Sequence, residues 1–160
     1  MIGTISLLAL GAIVIPFVVA LVIVVAPQPC AKWLCIGAAS VSTALTIAVW
    51  AMLAQNGGET VTVALASMGN ATILSLIFDK MSVMLATAFV GIGLLISIYS
   101  VGYMNAGNRE HPDAPRRRFY AFFTVFIGAM AGLVYSDTLV CQLVFFEITG
   151  ACSWALIGYY

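Results

Sequence analysis

Charge placement constrains this chain more than any motif. Every charged residue except Glu147 stands at or between the ends of long apolar runs. Inside a bilayer no water is available to bond a free backbone N–H or C=O, so only helices and closed barrels can span it. Runs close to the ~20 apolar residues that cross as a helix select the first alternative. Composition agrees: 63% of residues are hydrophobic and 8% charged, with a mean hydropathy of +1.12, whereas soluble domains are roughly 25% charged. The formal net charge is zero and the basic residues form no broad face, which removes nucleic acid as a partner. The longest hydrophilic stretch, 105–118, is too short for a soluble domain.

The runs predict an all-α integral membrane chain of five helices, with spans at about 2–26, 33–53, 81–103, 119–135 and 138–160. The first has no Lys or Arg before it and no small-residue cleavage pattern after it, so it reads as a retained span rather than a signal peptide. Pro16 inside it frees one helical carbonyl, which a neighbouring helix must satisfy. Between 59 and 78 the period changes to alternation, with Ser67, Met68, Gly69 and Asn70 as a turn. That predicts a β-hairpin at the membrane surface between the second and third spans. Ser136 and Asp137 break the fourth span from the fifth and are expected to cap the latter.

Lys32 follows the first span, and Arg109, Arg116, Arg117 and Arg118 lie in the charged loop 104–118 after the third. By the positive-inside rule both loops are cytoplasmic, and the hairpin and Asp137 lie outside. Tyr159 and Tyr160 then reach the cytoplasmic interface. Gly128 and Gly132 form a small-xxx-small face suited to close helix approach. Cys30, Cys35, Cys141 and Cys152 lack metal-ligand spacing and read as apolar packing groups. His111, in the polar loop, reads as solvated rather than as a ligand. No metal or cofactor site is expected.

Glu147 is the exception to the charge pattern. From Asp137 the helical rise to it is about 15 Å, half of the roughly 30 Å hydrocarbon layer. An acid there costs roughly 2.5 to 3.5 kcal/mol and usually marks a pathway or relay. Desolvation disfavours the carboxylate, so the proton is held until a cation approaches or water enters. Leu143, Val144, Gly150, Ala151 and Trp154 share its helical face, with Gln142, Thr149 and Ser153 turned the other way. Gly150 and Ser153 are candidates for packing or hydration near the path. The plainer reading is a neutral acid hydrogen-bonded to another helix as packing glue.

In this region the chain resembles the antiporter-like, proton-pumping membrane subunits shared by respiratory complex I, Mrp-type sodium/proton antiporters and membrane-bound hydrogenases. The likeness is greatest to the hydrogenase-4 branch, of the formate hydrogenlyase group. It extends over essentially the whole chain and is densest at 107–112 and 117–160. Its core is Glu147 followed by Gly150, Cys152, Ser153, Trp154, Leu156, Ile157, Gly158 and Tyr159. The resemblance implies that Glu147 is the acid of a glutamate–lysine pair whose coupled protonation drives proton movement. In the family the lysine lies on a later helix. This chain therefore implies partners in the bilayer, namely other membrane subunits of a hydrogenase or complex I-like assembly that include lysine-bearing helices. An Mrp-type antiporter module and a truncated structural or assembly subunit are the alternatives.

Overall fold

The computed structural model describes residues 2–55, 57–68, 71–104 and 116–159. The expected turn at Gly69 and Asn70, most of the charged loop with Arg109 and His111, and Tyr160 lie outside the described residues. Five helices and one hairpin follow in order: α1 (Ile2–Val25), α2 (Gln28–Gln55), β1 (Val61–Met68), β2 (Ala71–Phe78), α3 (Lys80–Tyr103), α4 (Arg116–Val134) and α5 (Leu139–Ile157). All five helices are long and apolar enough to cross a membrane. The chain is an all-helical multi-pass membrane protein with a small antiparallel sheet between α2 and α3.

Helix boundaries follow local chemistry. Pro29 falls in the first turn of α2, where a missing N–H costs nothing, so α2 begins at Gln28 rather than near Trp33. The proline punctuation opens α2 as well as ending α1. Asp79 caps α3 with a reciprocal capping box, its side chain accepting from Ser82 N at 2.9 Å while Ser82 Oγ accepts from Asp79 N at 3.0 Å. Gly57 and Gly58, with φ of 74° and 78°, carry the chain from α2 into β1 through the left-handed region that favours glycine.

Helix α4 is the hub, packed against α1, α2, α3 and α5. Small side chains make this possible. A Cβ on Gly128 would meet Ile13 O and Pro16 Cβ of α1 at 3.0 Å, and one on Gly132 would fall on the Phe145 ring of α5. The two glycines therefore admit two different neighbours rather than forming one packing face. Pro16 leaves Ala12 without its helical partner, and Ser42 Oγ of α2 donates to Ala12 O at 3.0 Å, as the interruption requires. Other buried hydroxyls, such as Ser97 and Thr124, bond back to carbonyls of their own helices at 2.8 and 2.7 Å.

The hairpin is an antiparallel pair running from Val61↔Phe78 to Met68↔Ala71, with irregularities around Ala66. Its β2 strand extends onto the α4–α5 turn. Ile77 N donates to Tyr135 O at 2.8 Å and Asp137 N to Ser75 O at 3.0 Å. Phe78 meets the buried Tyr135 ring edge-on at 4.9 Å. At the opposite end of the bundle Arg117 Nη1 donates to Ala26 O at 3.2 Å. The hairpin and the basic cluster thus occupy opposite ends, as the charge asymmetry requires.

Candidate functional site

Glu147 lies near the midpoint of α5, with about 12 Å of helix on the hairpin side and about 15 Å on the other. The placement of α5 begins at its amino end. Thr138 is the N-cap, accepting from Cys141 N at 3.4 Å and donating its own proton to Ile73 O of β2 at 2.7 Å. Asp137 does not cap the helix, contrary to expectation. Its carboxylate instead accepts from Ser75 Oγ at 2.7 Å. Ser136 Oγ returns to Gly132 O at 2.8 Å. Ser136 and Asp137 are thus turned to α4 and β2, and the Thr138 hydroxyl, which donates to β2, still accepts at the start of α5.

From that clamp α5 runs along α4. Its inward side carries Cys141, Thr149 and Cys152, all buried, with Phe145 seated over Gly132. Thr149 Oγ1 donates to Phe146 O at 2.7 Å. Its outward side carries Leu143, Val144, Glu147, Gly150, Ala151 and Trp154, all exposed. The sequence assigned that face correctly, except that Gln142 also lies outward. A Cβ on Gly150 would meet nothing within 4 Å, and Ser153 is half-buried.

Among the described residues every lysine and arginine stands near the start of a helix. Lys32 is in α2, Lys80 opens α3, and Arg116, Arg117 and Arg118 open α4. None is at the depth of Glu147. Gly128 and Gly132 pack α4 against α1 and α5 and do not border the outward face that carries the acid. The described residues contain no cluster of His, Cys, Asp and Glu able to hold a metal. The site is thus a single carboxyl group midway along α5, on the side turned away from the bundle.

Sequence reasoning missed the clasp formed by Ser75, Asp137 and Thr138. The adjacent Asp137 and Thr138 signal a cap, but nothing local indicates that a distant strand takes one of them.

Five helices long and apolar enough to cross a membrane define a multi-pass class of membrane chain. Residues 67–120 match the family model described as NADH-Ubiquinone oxidoreductase (complex I), chain 5 N-terminus. The chain is 32% identical over 127 residues to an NAD(P)H-quinone oxidoreductase chain 5 of Synechocystis, covering 79% of this chain and 18% of that protein. It is 40% identical over 82 residues to NADH-quinone oxidoreductase subunit L of Mycobacterium tuberculosis, covering 51% and 12%. It is also 33% identical over 85 residues to Na(+)/H(+) antiporter subunit A1 of Staphylococcus haemolyticus, covering 53% and 10%. The chain spans less than a fifth of the length of these relatives. The likenesses support the antiporter-like membrane family and an inner-membrane, multi-pass location. The matched family region ends before Glu147.

Proposed function

We propose that this chain is part of a proton-translocating, antiporter-like membrane subunit in which Glu147 carries the proton at mid-membrane. The observation that supports it most is the position of this acid, central in α5 and turned outward from the other four helices. A carboxyl group left against lipid is disfavoured. A face bearing one is therefore a face to be covered, and a lysine-bearing helix supplies what Glu147 lacks. In this reading proton movement couples the Glu147 carboxyl to a cationic lysine on that helix. Gly150 leaves room on the same face for water or a close helix, and Ser153 lies one turn further along.

The oxidoreductase we propose for it is a membrane-bound hydrogenase or a complex I-like enzyme, with redox chemistry on other subunits. The likeness at Glu147 and Cys152–Tyr159 favours the hydrogenase-4 branch, and the quinone oxidoreductase relatives favour the second. Replacing Glu147 with Gln in the complete complex should leave electron transfer active while lowering the protons moved per electron in sealed vesicles. Unchanged stoichiometry overturns the reading. A sodium/proton antiporter is the second reading, favoured by the Staphylococcus relative, and a sodium requirement for vesicle acidification selects it.

A further inference from the structure

Two arginines at the basic end of α4 take no part in the proton step, yet they stand over a defined cavity. Arg117 and Arg118 border a space of about 330 Å³ between α1 and α4. Its walls are apolar, with Leu21 and Val24 from α1 and Ala121, Phe122 and Val125 from α4. Leu21 is 72% exposed and Val24 56%, so the space is a groove on the outside of the bundle. From Arg117 to Val125 the helix rises about 12 Å, most of one leaflet of a roughly 30 Å hydrocarbon layer.

With the basic end cytoplasmic by the positive-inside rule, the groove runs inward from that interface, apolar along its length and cationic at its mouth. Arg117 is fixed there by its bond to Ala26 O at 3.2 Å. Its planar fork has five N–H donors, so this bond leaves others for an anion. Arg118 beside it is exposed. The positive-inside rule explains why arginines lie on this side but not why two of them crown an apolar groove.

We propose that the groove binds an anionic phospholipid of the cytoplasmic leaflet. The phosphodiester sits on Arg118 and the free donors of Arg117, and one acyl chain lies along Leu21, Val24, Phe122 and Val125. Charge complementarity selects this occupant. A partner helix must bring separate carboxylates to the guanidinium pair, whereas a phospholipid carries anion and chain in one molecule. This inference is independent of the role of Glu147.

The test is to purify the full chain in its membrane complex and exchange it into vesicles of phosphatidylcholine containing phosphatidylglycerol with a photoactivatable acyl chain. The expected label falls on peptides carrying Val24, Phe122 or Val125. Arg118→Gln should lower the phosphatidylglycerol retained through detergent extraction about fivefold, the effect of one basic residue at an anionic surface. Val24→Trp, which fills an exposed wall of the groove and leaves both charges, should lower it as well. Equal retention of both lipids overturns the proposal. So does loss in Arg118→Gln without loss in Val24→Trp, which reports diffuse attraction only, and so does a crosslink from position 24 to a protein partner.

Discussion

At Ala12 and Gly128, single atoms decide whether helices can meet. Pro16 removes one N–H from α1, and Ser42 Oγ fills the vacancy at Ala12 O at 3.0 Å. Ser42→Ala should destabilise the chain by about 1 kcal/mol, the net worth of such a bond, measured by thermal unfolding in detergent. The hydroxyl is fully buried, so Ser42→Thr should recover less than wild type unless α1 yields. Gly128 lies against the backbone of Ile13 and the ring of Pro16, neither of which can rotate away. Gly128→Leu should cost about 1 to 3 kcal/mol through overpacking, read in the same unfolding assay. The proline was legible as an interruption. Its partner was not, since no local pattern says which helix will lie beside it.

At the level of elements, the hairpin is a platform for α5. Strand β2 gives Ile73, Ser75 and Ile77 to Thr138, Asp137 and Tyr135, so the entry point of the acid-bearing helix depends on a segment some sixty residues away. Thr138→Ala removes both the cap and the bond to Ile73 and should cost about 1 kcal/mol. Thr138→Ser keeps both groups and should cost less, checked by hydrogen exchange at the start of α5. Helix α3 has its own cap, with a pH signature. The Ser82 hydrogen bond holds the Asp79 carboxyl below its ordinary value of 3.8 despite some burial. A carboxyl lowered on folding contributes fully above pH 3.8 and loses that contribution as pH falls through its lower folded value. The stability gap between wild type and Asp79→Asn should therefore be present at neutral pH and close in acid. The alternation of residues 59–78 made the hairpin legible. Its docking was not, because edge-strand hydrogen bonding is carried by the backbone and leaves no side-chain pattern.

For the whole molecule, the arrangement separates a basic end, a hairpin end and an acid midway along the outer flank of α5. The proton reading predicts that a cysteine at Val144, exposed on that flank, crosslinks in the complete complex to a lysine-bearing helix. Crosslinking only to lipid counts against a covered face. The five spanning-length helices, the hairpin between α2 and α3 and the separation of the basic cluster from the hairpin were legible in the sequence. Hydrophobic length, period and charge position are properties of consecutive residues, and a bilayer converts them directly into geometry. What required the tertiary structure was which helices touch: α4 as the hub, Gly128 and Gly132 serving different partners, and Thr138 as the cap. It also decided that Glu147 faces away from the four helices beside it. Such facts depend on packing between residues distant in sequence, where shape and close approach select the partner and the one-dimensional pattern of apolar residues is nearly uniform.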